Sequence, residues 1–214
     1  NELYPNEVKY KYPKAGEKNA VVTVHVYDLP SKKTNKIEIE GDAEQYIPRL
    51  IFAPDGDLCI FKLNRHQNHL QILKADKKGK TSLMFEEKNK YFIEINDHLT
   101  FVDKDKFIWL SEADGFNHLY LYETNGKLVR QLTKGNWEVT DFYGFDPLKK
   151  IIYFQAAGEK TFNREVYWVT TFGDEKVKIS TKIGDNAANF SGDFKFYINE
   201  HSTVTTPPVY EVYE

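Results

Sequence analysis

Two histidines three residues apart, His66 and His69 in "RHQNHL", and two adjacent glutamates, Glu86 and Glu87, come nearest to chemistry in this sequence. A zinc site needs clustered His or Cys at ligand spacing, and these two histidines sit in a loop running into a strand. His69 also matches His118 in "NHLYLY", and equivalent positions favour a structural use in which a ring N–H caps a loop. Paired carboxylates can grip an ammonium only where a site partly desolvates them. Glu86 and Glu87 end an outer strand, so a solvated edge is expected there.

A serine nucleophile needs an elbow such as G-x-S-x-G, which the sequence lacks, and Ser191 in "NFSGDF" falls in a turn. Cys59 in "DLCIFKL" alternates with apolar neighbours and reads as a buried structural thiol; as the single cysteine it excludes a disulfide within the chain. The glycines of "GEKNA", "APDGD" and "AAGEK" are turn glycines with no helix behind them to cradle phosphate. Trp109 and Trp137 are expected to pack between structural units. No catalytic residue, metal ligand or cofactor is expected.

The elements that position these residues follow from composition and period. Of 214 residues, 15% are aromatic, with 14 Tyr and 15 Phe against one Met, a balance suited to pleated sheets. A net charge of −3 gives no footing for nucleic acid, whose binders need a basic patch. No apolar run reaches the ~20 residues that cross a bilayer. The opening "NELYPNEVKY" has neither a basic nor an apolar leader region, so no signal peptide is expected in this segment.

Segments resembling "LYLYE" begin at residues 24, 70, 119, 166 and 209, a period of forty-odd residues that marks a repeat array. Each period holds the same order. In the third, "HLTFVDKDK", "FIWLSEADGF", "NHLYLYE" and "LVRQLT" are four short strands, the last two joined by an Asn125-Gly126 hairpin turn. Alternation places Leu119 and Leu121 on one face of their strand, Tyr120 and Tyr122 on the other.

No window carries helical periodicity free of turn residues. An all-β fold follows, a partial β-propeller of four-stranded antiparallel blades, with an up-and-down barrel or sandwich as the weaker alternatives. Residues 20–40 supply half a blade, 44–90, 91–138 and 139–183 full blades, and 184–214 an incomplete one. The first half blade could complete the last and close a four-bladed ring. The simpler expectation is an arc of four to four and a half blades from a larger ring, whose open faces favour self-association.

Three stretches resemble the dipeptidyl peptidase IV propeller of the prolyl oligopeptidase superfamily. They are "YPKAGEKNAVVTVHVYDL" (residues 12–29), "SEADGFNHLYLYETNGKLVRQLTKGNWEVTDFYGFD" (111–146) and "INEHSTVTTPPVYEVY" near the end. The style is that of a bacterial, Bacteroides-like member. The resemblance implies an eight-bladed propeller preceding an α/β-hydrolase domain in the same chain. It also implies a serine exopeptidase releasing X-Pro or X-Ala dipeptides, with the Ser-Asp-His triad in the hydrolase domain and absent from this segment.

The family's glutamate pair and an arginine for the substrate are implied upstream, so Glu86 and Glu87 are not that pair. One pocket-rim aromatic is carried over, onto Phe92. The resemblance implies peptide substrates and the hydrolase domain as partners; further copies of the chain are expected from the open arc, and no nucleic acid or membrane segment from the charge and the short apolar runs. The implied location is the periplasm or cell surface. A non-catalytic propeller binding peptide or glycan, and a related dipeptidyl or acylaminoacyl peptidase, are the competing readings.

Overall fold

The computed structural model describes residues 3–4, 6–11, 13–41, 44–158 and 162–214. Tyr12 of the first family-like stretch and residues 159–160 of "AAGEK" lie outside the described residues. Among those described there is no helix.

The strands β1 (His25–Asp28) and β2 (Lys33–Lys36) make a hairpin of their own. The second sheet holds β3 (Gln45–Tyr46), β4 (Leu50–Phe52), β5 (Leu58–Asn64), β6 (His69–Ala75) and β7 (Thr81–Lys88). Here β3 and β4 both pair with β5, being one innermost strand interrupted around Pro48. Proline has no N–H to give to a ladder, which accounts for the break.

The third sheet runs β8 (Thr100–Phe101), β9 (Lys106–Ser111), β10 (His118–Glu123) and β11 (Leu128–Gln131). The fourth runs β12 (Val139–Asp146), β13 (Ile151–Ala157), β14 (Arg164–Thr170) and the two-residue β15 (Val177–Lys178). A last sheet of β16 (Asp185–Phe190), β17 (Tyr197–Thr203) and β18 (Thr206–Tyr213) follows. It joins the fourth through a single parallel pairing, Arg164 with Asp185. The β1–β2 hairpin does not pair with β18, so the four-bladed ring is not formed.

The two-residue period decides how the sheets stack. On β5, Leu58 and Ile60 face the β1–β2 hairpin and share a core with Val24 and Ile37. The alternate residues Cys59, Phe61 and Leu63 face the third sheet and share a core with Phe107 and Trp109. On β9 the intervening Ile108 and Leu110 turn the other way, joining Leu119, Leu121, Ile152, Phe154 and Val169. Tyr122 packs with the Phe107–Trp109 side instead, as the alternation of β10 predicts.

Every inner sheet is thus apolar on both faces, and burying one large side chain contributes about 2–3 kcal/mol. The last interface is aromatic, with Phe190 4.4 Å from Tyr153; on the same face of the last sheet Tyr197 and Tyr213 stack 5.2 Å apart. The opposite face of β17 and β18 carries exposed Ile198, Tyr210 and Val212.

Turn glycines latch the second, third and fourth sheets each to the one before it. The β6–β7, β10–β11 and β14–β15 turns contain Gly79, Gly126 and Gly173, all at positive φ. A Cβ on these would meet the backbone oxygens of Lys36, Met84 and Gln131 at 2.5, 3.1 and 3.3 Å. Each oxygen belongs to the outer strand of the preceding sheet. Only a residue without a side chain permits both the left-handed turn and this approach.

Candidate functional site

A cleft of about 440 Å³ opens where the second, third and fourth sheets meet. The end of β7, residues 89–98, the end of β9, Asn117 and the start of β12 line it. Its floor follows from strand parity. On β7, Phe85 and Glu87 share a face; on β9, Phe107, Trp109 and Ser111 do. Phe85 and Trp109 therefore meet inside, 5.4 Å apart, and the polar residues beyond them meet at the mouth. Trp109 Nε1 donates to Glu87 at 2.7 Å, and Ser111 Oγ donates to its other oxygen at 2.5 Å. Ser111 Oγ in turn accepts the Ala113 N–H at 3.1 Å.

The wall over residues 89–98 is held by its alternation and its caps. Ile93 is buried in the core and its N–H donates to the Gln67 carbonyl at 2.8 Å. Its neighbours are therefore turned outward, and Phe92 stands 57% exposed at the lip of the cleft. Asn96 Nδ2 donates to the Leu110 carbonyl at 3.2 Å, and Asn96 Oδ1 accepts the His98 N–H at 3.1 Å. Arg49 pairs with Asp97, whose carboxyl is held below its usual range chiefly by that hydrogen bond. Opposite, Asn117 closes a two-bond link with Val139, 2.8 Å in each direction.

The lining includes Glu87, Glu94, Asp97, Glu112 and Asp141 but neither lysine nor arginine. Such a surface accepts hydrogen bonds and offers Phe92 as an apolar contact. Ser111 Oγ is engaged with the Glu87 carboxylate.

The glutamate pair does not form the solvated edge expected of it. Adjacent strand residues point to opposite faces, and only Glu86 remains outside. It binds Lys88 Nζ at 2.6 Å, His69 Nε2 at 3.0 Å and Gln71 Nε2 at 3.3 Å. The Lys88 contact first, and His69 second, hold its carboxyl below the ordinary range. Glu87 is half-buried at the cleft.

His66 is exposed in its turn while His69 goes to Glu86, so the two rings serve different places. His118 is fully buried, its ring bonded to Thr133 Oγ1 and to the Gly135 carbonyl, each at 3.0 Å. That is the loop-capping use expected of it. Cys59 is wholly enclosed, and burial pushes its thiol up to about 11. Ser191 Oγ donates to Asp193 at 2.7 Å and accepts the Phe196 N–H at 3.1 Å, tying its turn. Trp137 packs against His118 and Phe154, between sheets.

A repeated hydroxyl escaped the sequence reading. Thr133 and Ser180 accept the N–H of Leu119 and Val166, at 2.9 and 3.1 Å. Each also contacts the side chain just before that N–H, His118 or Glu165. Their common spacing from the "NHLYLY"-like strands was the available signal.

Comparison with known proteins accords with this architecture. The crystal structure of Porphyromonas gingivalis dipeptidyl peptidase 4 superposes with a TM-score of 0.89 at 37% identity, covering 100% of this chain and 31% of that one. A second solved structure, from Bacteroides ovatus, gives a TM-score of 0.83 at 26% identity, covering 96% of this chain and 32% of that one. The dipeptidyl peptidase 4 of the fungus Arthroderma otae is 29% identical over 218 residues, covering 95% of this chain and 28% of that protein. The chain thus spans about a third or less of the proteins it matches. Its stacked sheets are a run of propeller blades, as the repeat predicted, and the likeness to bacterial relatives holds in both solved structures. Since the model of the dipeptidyl peptidase IV N-terminal region matches residues 1–208, nearly the whole sequence, the chain belongs to that family.

Proposed function

We propose that this chain is the propeller segment of a serine exopeptidase releasing N-terminal X-Pro and X-Ala dipeptides, and that it gates access and helps bind the peptide. The hydrolase domain that supplies the chemistry belongs, on this reading, to the same polypeptide, in the periplasm or at the cell surface. The observation that carries the reading is Phe92, an exposed ring at the lip of a hydrogen-bond-accepting cleft, in a chain of this family. An apolar ring beside carboxylates suits a peptide, which offers both N–H groups and side chains. Self-association belongs to the same proposal, supported by exposed Ile198, Tyr210 and Val212.

The test is hydrolysis of Gly-Pro and Gly-Ala p-nitroanilides by the full-length protein. Phe92→Ala is expected to raise KM roughly five- to tenfold, with kcat little changed, because a contact shared by ground and transition states is lost. Phe92→Tyr should restore most of it. No turnover of either substrate would sink the activity. An unchanged KM in Phe92→Ala would remove the ring from the pocket.

A further inference from the structure

The outer rim of the molecule carries a cluster of lysines that the cleft does not use. The β1–β2 hairpin contributes Lys32, Lys33 and Lys36, and the β6–β7 turn contributes Lys77, Lys78 and Lys80. More than forty residues separate the two groups in sequence, and the latch at Gly79 brings them together. Asn35 Nδ2 donates to the Lys77 carbonyl at 3.2 Å, and the Glu38 N–H donates to the Gly79 carbonyl at 3.0 Å. All six lysines are exposed, and none is in an ion pair among the described residues.

The neighbouring carboxylates are engaged with the backbone. Asp28 accepts the Ser31 N–H at 2.9 Å, and Asp76 accepts the N–H groups of Lys78 and Lys80 at 2.8 and 3.0 Å. Glu38 is exposed beside the turn, so the six lysines stand against the three carboxylates of Asp28, Glu38 and Asp76. A local excess of positive charge thus stands on a chain whose net charge is −3.

Apolar groups stand beside this charge. Leu29, at the hairpin tip, is 79% exposed, and Tyr27 on the same hairpin is 54% exposed. A soluble polyanion would satisfy the lysines and leave Leu29 in water. A bilayer surface satisfies both, with phosphates for the ammonium groups and the headgroup boundary for Leu29 and Tyr27. We propose that the β1–β2 hairpin and the β6–β7 turn form a docking surface for anionic phospholipid headgroups. Both turns are pinned, one by Asp28 and the other by Asp76 and the Gly79 latch, so little ordering accompanies docking.

The test is sedimentation of the full-length protein with vesicles of phosphatidylcholine alone and with about a third phosphatidylglycerol, at about 0.05 M and about 0.5 M salt. Binding to the anionic vesicles only, lost at the higher salt, is expected. Each lysine near such a surface is worth roughly fivefold in partition. The triple variant Lys77→Glu/Lys78→Glu/Lys80→Glu should therefore bind at least tenfold more weakly, and Lys32→Glu/Lys33→Glu should do the same from the other element.

Leu29→Ser should weaken vesicle binding without changing retention on heparin-agarose. Far-UV circular dichroism verifies the fold of each variant, and the salt series on the unaltered protein needs none. Equal binding to neutral vesicles, no binding to either, heparin retention without vesicle binding, or folded charge-reversal variants that bind like the parent would each overturn the proposal.

Discussion

Gly79 rests so close to the backbone of Lys36 that a methyl group on its α-carbon would meet that carbonyl oxygen at 2.5 Å. The contact is backbone against backbone, and no flexible side chain can yield. Its φ of 90° adds a second penalty, since L side chains avoid that region. Gly79→Ala is expected to cost about 2–4 kcal/mol. Gly56 is the control, with φ of 86° and nothing within 4 Å of an added Cβ. Gly56→Ala should cost only about 1 kcal/mol, and Gly126→Ala, at 3.1 Å from the Met84 oxygen, should fall between. Urea melts of the three variants test the ranking; equal midpoints would refute the latch.

The bond from Trp109 Nε1 to Glu87 predicts a graded response. Glu87→Gln keeps an acceptor and should cost under about 1 kcal/mol. Glu87→Leu leaves the Trp109 N–H and the Ser111 hydroxyl without it, an expected loss of about 1–3 kcal/mol. Trp109→Ala opens a cavity among Phe61, Phe85 and Phe107 and should cost about 3–5 kcal/mol. Thermal melts, with tryptophan fluorescence for the two Glu87 variants, measure the series.

Cys59 provides a pH readout. Burial raises its thiol from 9.0 to about 11 in the folded chain, so the native state favours the protonated form. This stabilisation is fully present below pH 9, declines as pH rises toward 11, and amounts to about 3 kcal/mol at most. Native protein at pH 8 should resist a thiol reagent that labels the urea-unfolded chain at once. Rapid native labelling would contradict the burial.

The hydroxyls of Thr133 and Ser180 should be interchangeable but not dispensable. Thr133→Ser keeps the acceptor for the Leu119 N–H, whereas Thr133→Val leaves that buried donor and the His118 ring short of a partner. The expected losses are under about 1 kcal/mol and about 1–3 kcal/mol. Ser180→Ala should behave like Thr133→Val, because Val166 N–H and Glu165 both lean on that oxygen. Melting temperatures of the four chains compare them directly.

Much of the fold could be read from strand parity. Leu119 and Leu121 against Tyr120 and Tyr122 fall on the faces that alternation assigns, because a two-residue period leaves a strand no other choice. The buried Trp109 and Cys59 followed from the same pattern. The capping role of His118 followed from its repeat position, whereas His69 at the equivalent position binds Glu86 instead. Glu86 and Glu87 show where parity stops. It separates the two residues but does not say which face opens onto a cleft, since that depends on where neighbouring sheets diverge. Pro48 is the local signal for the break between β3 and β4. The buried Glu165 depends on contacts with Ser180 and Asn186, which no local pattern encodes. Phe92 was placed by resemblance; its exposure comes from Ile93 anchoring the segment beside it.

The direction of the glycine latches carries a consequence for synthesis. Each turn seats on a strand that left the ribosome before it, never on one still to be made. A newly exposed sheet therefore finds its seat complete, and the growing chain can be covered step by step in the order of translation. Slippage at one seat would leave the next turn nothing to close upon, so an early error would spread toward the later residues and spare those already made.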